Sequence, residues 1–321
     1  MDVRELWHIS DTDSELRKIQ TEPGANLLIV QSEYSLISSG TEKIVSKGLV
    51  PMQIGERMKV PYMKGNFPNP VSYGYSLVGK VTEGPKTLMN RHVHVLHPHH
   101  DFAFVEEQDV FLIPDDIPSK RAVFASNMET VVNAIWDSKP QLGDQILIAG
   151  FGTIGALLAL TISQYPGLDI KILENNPKRR KIAKECGLET IDVDKDSHTE
   201  FDISYHCTGK ETGLQFCIDH TKTEGKIIEL SWYGNKSVNI DLGKTFHTGR
   251  KKIISSQVSQ IPNDKNSSWN FKTRKELVFK LLQNNIYDKL PVLEIPFADS
   301  PDFFKKLRNE FIFEPSLIIR Y

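Results

Sequence analysis

The sequence predicts an α/β protein: a doubly wound parallel sheet, with β-rich segments before and after it in the chain. Three observations carry this. Residues 119 to about 285 alternate short apolar runs with stretches of helical spacing. A G-x-G-x-x-G turn joins the first such run to the first helical stretch. Residues 1 to about 115, and the last thirty, read as short β-rich runs broken by turn residues.

Among the β-rich runs are "ANLLIVQSEYSLI" and "GYSLVGKVTEG", and the chain ends in "PSLIIRY". The middle segment is the most regular. "DQILIAG" (144–150) is a buried-strand run, and "GTIGALLALTISQY" (152–165) reads as a helix. "DIKILEN" (169–175) is a second strand. "PKRRKIAKECG" (177–187) is a helix with Asn176 as N-cap, Pro177 at its first position and Gly187 past its end. "ETIDV" (189–193), "FDISYHC" (201–207), "GKIIELSW" (225–232) and "KKIISSQV" (251–258) complete six strands. "ETGLQFCIDHTK" and "RKELVFKLLQNN" have helical spacing between and after them.

Composition narrows the function. The 321 residues carry 39 basic and 41 acidic side chains, a net charge of −2, with no sustained run of one sign. That is no footprint for nucleic acid or an anionic membrane. "MDVRELWHIS" has no apolar core of a signal peptide, and no stretch of about 18 apolar residues exists to span a bilayer. The cysteines Cys186, Cys207 and Cys217 fit neither a zinc motif nor a disulfide framework. They read as free thiols in a reducing cytoplasm.

The glycine turn has a physical logic. Gly150 lets the chain turn sharply off its strand, and Gly152 lets backbone approach a pyrophosphate. Gly155 lets helix and strand pack closely. Thr153 and Ile154 lie in the helix start, whose N–H groups and dipole favour phosphate. Glu174, 19 residues after Gly155, is placed to accept from the adenosine ribose hydroxyls and to repel a 2′-phosphate. This favours NAD, with NADP left open by Lys178, Arg179 and Arg180 nearby. For those three, a solvated helix face is the preferred reading. Ligands of such sheets lie beyond the carboxyl ends of the strands. That nominates Thr208 and Gly209, then Ser231 with Trp232 and Tyr233, then Ser255, Ser256, Gln257 and Val258.

The layout resembles the medium-chain dehydrogenase/reductase superfamily, over nearly the whole chain. "YSLISSGTE", "YGYSLVGKV" and "FASNMETVVNAIWD" sit at recognisable positions of that pattern. Together with "ELSWYG" and "SSQV" they resemble the branch of bacteriochlorophyllide dehydrogenases and proteins labelled zinc-binding alcohol dehydrogenases. The resemblance implies a GroES-like β-rich substrate domain at 1–118 and 290–321, and a Rossmann dinucleotide-binding domain at 119–289. It also implies a homodimer through the edge of the cofactor sheet. At the positions of the family's catalytic zinc ligands stand Ser39, Tyr75 and Ser126, with Glu129 the nearby carboxylate. The four-cysteine structural-zinc lobe is missing. A hydroxyl and a phenol are poor zinc ligands, so no zinc is expected.

"HVHVLHPHH" (92–100) holds five of the ten histidines. Strand alternation puts His92 and His94 on one face, read as outward. A polar strand end is preferred for His92, His94 and His100, and a metal site ranks last. By the resemblance, His97 and His99 are candidates to line the substrate pocket near the inter-domain cleft.

The resulting expectation is a metal-independent oxidoreductase moving a hydride between NAD and a secondary alcohol or ketone. Tyr75, Thr41 and His97 or His99 are the candidate hydrogen-bond donors, and Glu42 or Glu129 would orient a donor or act as base. Two alternatives stay open: a zinc-less NADPH-dependent enone or quinone reductase, and a non-catalytic nucleotide-binding sensor or subunit. The segments "GLVPMQIGERMKVPYMKGNFPNP" and "QIPNDKNSSWN" would shape the pocket, whose substrate the sequence does not reveal.

Overall fold

A computed structural model of the chain describes residues 1–22, 24, 27–191 and 199–321. These form two compact units. Unit 1 comprises Met1–Ser126, Val292–Ile312 and Ser316–Tyr321, and unit 2 comprises Asn127–Pro291 and Phe313–Pro315.

Unit 1 opens with strands β1 (Asp2–His8), β2 (Ser14–Gln20) and β3 (Leu28–Ile37), then helices α1 (Ser39–Ser46) and α2 (Gly55–Met58). Strands β4 (Lys64–Gly65), β5 (Val71–Ser72), β6 (Leu77–Glu83), β7 (His92–Val95), β8 (Phe102–Val105) and β9 (Val110–Leu112) follow, then α3 (Ser119–Ala122). Helix α4 (Ala125–Ser138) starts here and continues in unit 2. Unit 2 holds β10 (Gln145–Ala149), α5 (Thr153–Ile162), β11 (Asp169–Leu173), α6 (Pro177–Glu185), β12 (Glu189–Thr190) and β13 (Phe201–His206). It continues with α7 (Glu211–Asp219), β14 (Thr221–Glu229), α8 (Thr245–Thr248), β15 (Lys252–Ser255) and α9 (Phe271–Leu282). Strand β16 (Val292–Pro296), α10 (Ser300–Asn309) and β17 (Ser316–Arg320) return to unit 1.

Unit 1 is built on two sheets, one ordered β2-β1-β5-β4 and one ordered β16-β17-β3-β6-β7-β9, with β8 also on β3. Leu28, Val30, Leu77, Val81, Val93 and Val95 fill one core, and Leu6, Ile37, Phe304, Leu317 and Ile319 another. Each such burial is worth roughly 1.5–3 kcal/mol. Strand β3 begins at Leu28; Ala25 and Asn26, the start of the run read as a strand, lie outside the described residues.

In unit 2 the described strands form one parallel sheet ordered β12-β11-β10-β13-β14-β15. This is a doubly wound order, reversing direction at β10. Strand β10 pairs Ile146 with both Ile170 and Ile203, which is why its sequence is a continuous apolar run. Helix α5 is buried along nearly all its length. Asn176 caps α6, its side chain accepting from the N–H groups of Lys178 and Arg179. Several boundaries differ from the sequence reading, among them β14, which runs Thr221–Glu229 and not 225–232. Helix α9 begins at Phe271, because Asn270 and Thr273 form a capping box. Strand β15 ends at Ser255, so Ser256–Val258 leave the sheet. Of "ETIDV", β12 contains Glu189 and Thr190, while Asp192 and Val193 lie outside the described residues.

Candidate active site

In unit 2 the glycine turn sits at the switch point between β10 and α5. Gly150 has φ +103°, and a Cβ on Gly155 would collide with the Gly150 carbonyl. Gly152 caps α5, so the N–H groups of Thr153, Ile154 and Gly155 open the helix. The Thr153 hydroxyl is itself committed, donating to the Pro315 carbonyl at 2.6 Å. Glu174 closes the turn. Its Oε2 accepts from the Phe151 N–H at 2.9 Å and its Oε1 from the Asn176 N–H at 2.8 Å. A carboxylate has about four acceptor positions, which leaves it capacity for ribose hydroxyls. The cradle therefore fits a dinucleotide.

Of the basic residues beside it, Lys178 is exposed, as expected of a solvated helix face, while Arg179 and Arg180 are half-buried, which corrects the sequence reading for those two. Arg179 donates from Nε to the Phe313 carbonyl at 2.9 Å and from Nη2 to the Glu314 carbonyl at 3.3 Å. Its Nη1 lies 3.9 Å from Glu174 Oε2. Arg180 donates to the carbonyls of Glu174 and Asn175, and the Lys178 ammonium lies over the Phe313 ring. Reading the helix alone could not show that residues 313–315 are laid against it.

The carboxyl ends of β13 and β14 bring Thr208, Gly209 and Ser231 together, and the Gly209 N–H donates to Ser231 Oγ at 3.0 Å. Beneath them lies a pair that sequence reasoning missed. His206 is fully buried, with Nδ1 2.8 Å from Glu229 Oε1 and Nε2 2.6 Å from Thr208 Oγ1. Glu229 also accepts from the Ser231 N–H and the Tyr233 hydroxyl. Part of the signal was available: each residue lies within a run read as a strand. A pocket of about 310 Å³ opens here, lined among others by Gly209, Lys210, Thr212, Tyr233 and Lys236. At the end of β15, Ser255 and Gln257 are exposed, while Ser256 is buried with its hydroxyl donated to Asp137 Oδ2 at 2.6 Å.

In unit 1, Tyr75 and Thr41 are brought together with Ser38 and Glu42. Burial and the nearby Glu42 charge push the Tyr75 phenol up to about 12, partly offset by Ser38 and Thr41 beside it. Tyr75 is therefore a neutral donor at ordinary pH. Glu42 is fully buried and accepts from the Ser38 N–H at 2.7 Å and from His99 Nε2 at 2.8 Å. His99 Nδ1 meets Ser35 Oγ at 2.7 Å, and Ser35 meets the Tyr321 hydroxyl at 2.8 Å. A carboxylate accepts only, so Nε2 carries the proton. Both ring nitrogens of His99 are thus spent within unit 1. Gly74, at φ +136°, makes room for the ring: a Cβ there would sit 2.9 Å from His99 Nε2.

The rest of the histidine run divides differently from expectation. His92 is exposed and pairs with Glu33. His94 is not outward but fully buried, 3.0 Å from Ser76 Oγ and 3.3 Å from Ser126 Oγ. His100 is no polar strand end; it is buried with Nε2 2.8 Å from Ser72 Oγ. His97 is buried, bonds the Pro98 carbonyl through Nδ1 at 2.9 Å, and is pushed down by burial to about 4. It stays neutral near pH 7.

Where the resemblance would put zinc ligands, Tyr75 has Ser38 and Thr41 beside its phenol. Ser126 donates to the Tyr75 carbonyl at 2.6 Å. Among the described residues no group of three or more His, Cys, Asp or Glu side chains could hold a metal ion, and Cys186, Cys207 and Cys217 are free thiols. Glu129 lies in unit 2, buried, with Oε2 2.6 Å from Lys275 Nζ and Oε1 3.3 Å from Arg274. It is an ion-paired strut, far from the description of a free base. No helix among the described residues is long and apolar enough to cross a membrane.

No family model matches the sequence. The structure is similar to 2R,3R-butanediol dehydrogenase from Bacillus subtilis, at 17% identity and TM-score 0.76, covering 99% of each chain. The fold is that of the medium-chain alcohol dehydrogenases. The structure is also similar to acetophenone reductase from Geotrichum candidum in complex with NAD, at 15% identity and TM-score 0.79, covering 100% of this chain and 97% of that one. In sequence the chain is 22% identical over 217 residues to L-idonate 5-dehydrogenase (NAD(P)(+)) of Escherichia coli (strain K12), which is 63% of this chain. The match spans 59% of that relative's length.

Proposed function

We propose that the chain is an NAD(P)-dependent oxidoreductase that interconverts a secondary alcohol and a ketone without a metal, with NAD preferred. What carries the reading is the turn at Gly150–Gly155, closed by Glu174 and impossible with a Cβ at Gly155. A bound nicotinamide cofactor supplies or takes up the hydride.

This chain's residues have the remaining tasks. Gly152, Thr153, Ile154 and Gly155 offer backbone N–H groups to the pyrophosphate, and Glu174 accepts from the ribose. Arg179 is already committed to two carbonyls and to the flank of Glu174, so it is poorly placed to welcome a 2′-phosphate. Thr208, Gly209 and Ser231 serve the nucleotide edge, and Ser255 and Gln257 the nicotinamide side. Tyr75, with Thr41 and Ser38 beside it, donates to the substrate oxygen. In reduction Tyr75 would give its phenolic proton to the substrate oxygen and recover one from solvent. His99 and Glu42 hold the Ser38–Thr41 turn, because both His99 nitrogens are occupied. His97 is held neutral and shapes the wall. The named substrates of the relatives above, L-idonate, 2R,3R-butanediol and acetophenone, belong to the same alcohol and ketone class.

The test is turnover of a ketone panel with NADH by metal-analysed wild type and Tyr75→Phe. Loss of the donor should lower kcat by about 10²–10³ with KM largely kept. Full turnover by Tyr75→Phe would remove Tyr75 from the role.

A further inference from the structure

Helix α4 carries a polar stripe. Glu129, Asn133 and Asp137 fall four residues apart, on one face. The stripe faces the stretch after β15, which has no strand or helix of its own until Phe271 and satisfies only some of its carbonyls by its own turns. Asn133 Nδ2 donates to the carbonyls of Gln257 at 3.1 Å and Gln260 at 2.6 Å. Arg274 Nη1 donates to Asn133 Oδ1 at 2.7 Å and to the Val258 carbonyl at 2.8 Å. Glu129 anchors the Arg274 guanidinium through Nε and Nη2, each at 3.3 Å. Asp137 takes the Ser256 hydroxyl. Further along, Lys139 pairs with Asp264 at 2.6 Å, and the rings of Trp136 and Trp269 lie 5.0 Å apart.

Two side chains thus hold three consecutive-neighbourhood carbonyls of one loop. Arg274 is 3% exposed and Asn133 1%. Burying such a charged group is costly, and an apolar replacement of similar volume often stabilises as well or better. Stability alone is a poor reason for the arrangement. Fixed placement of residues 255–260 is a better one, because this segment leaves the carboxyl end of the sheet, where ligands bind.

We propose that Asn133 and Arg274 are positioning residues for the nicotinamide half of the cofactor. They fix the backbone of residues 256–260 so that exposed Ser255 and Gln257 meet the nicotinamide ring and its carboxamide. This rests on the cofactor reading above.

The experiment compares NADH with ADP-ribose, which lacks the nicotinamide, by titration of Trp fluorescence and by calorimetry on the full chain. Arg274→Lys keeps the charge beside Glu129 and loses the fork; Asn133→Asp keeps the volume and loses the donor. Either variant should weaken NADH by about tenfold and leave ADP-ribose unchanged. A ratio of the two affinities equal to wild type in a folded variant overturns the clamp. An equal loss for both ligands does the same, since a merely structural role predicts it. Should Arg274→Lys not fold, Asn133→Asp alone decides. Wild type that binds neither ligand overturns the cofactor reading and the clamp with it; wild type that binds both, with variants unchanged, overturns the clamp alone.

Discussion

His99 Nε2 lies 2.8 Å from Glu42 Oε2, and both side chains are completely removed from solvent. This pair stands beside Tyr75 and ties the Ser38–Thr41 turn to the interior of unit 1. Removing one partner leaves the other buried and unsatisfied. Glu42→Ala should therefore cost about 1–3 kcal/mol of stability, read from urea unfolding. Gly74→Ala should move the same way by pushing the His99 ring off its partner. A loss below about 1 kcal/mol for Glu42→Ala would mean that the pair behaves as an exposed one.

Acid should weaken the fold through buried histidines. Burial lowers His97 to about 4, and lowers His8 and His100 as well. Between pH 6.5 and 4 the unfolded chain then binds more protons than the folded one, so stability falls as pH falls through that window. His97 alone accounts for about 2 kcal/mol by pH 5. Urea unfolding at pH 7 and pH 5 should show the drop, and His97→Asn should shrink it.

Glu174→Ala should reverse cofactor preference. The carboxylate closes the turn through Phe151 and Asn176 and sits 10% exposed beside the guanidinium of Arg179. Without it, NADH affinity should fall by about tenfold, while NADPH falls less or improves. Parallel titrations decide; an unchanged NADH-to-NADPH ratio would take ribose recognition away from Glu174.

Chelation should do nothing. With Ser39, Tyr75 and Ser126 where the resemblance would put zinc ligands, treatment with EDTA or phenanthroline is expected to leave turnover and melting temperature unchanged. Activity lost on chelation and restored by zinc would contradict the metal-free mechanism.

The unit 2 sheet was legible because local physics dictates it. Continuous apolar runs mark strands covered on both faces, and Gly150 and Gly155 stand where any Cβ would obstruct the turn. The Asn176 cap was readable for the same reason. What could not be read depends on partners distant in sequence. Alternation says that His92 and His94 share a face, but not that Ser76 and Ser126 cover His94 while His92 meets solvent. Glu129 and Arg274 are 145 residues apart, and Arg179 finds its carbonyls 134 and 135 residues on. His206 and Glu229 are different: both lay within runs read as strands, and what was missing was where those strands end and that β13 pairs with β14.

The central claim is that the Gly150–Gly155 turn grips a nicotinamide dinucleotide in a protein that uses no zinc. Fluorescence titration with NADH and NADPH, on protein of measured zinc content, tests it most directly. The account predicts saturable binding, tighter for NADH, with zinc well below one equivalent. Stoichiometric zinc, or no binding of either nucleotide, would contradict it.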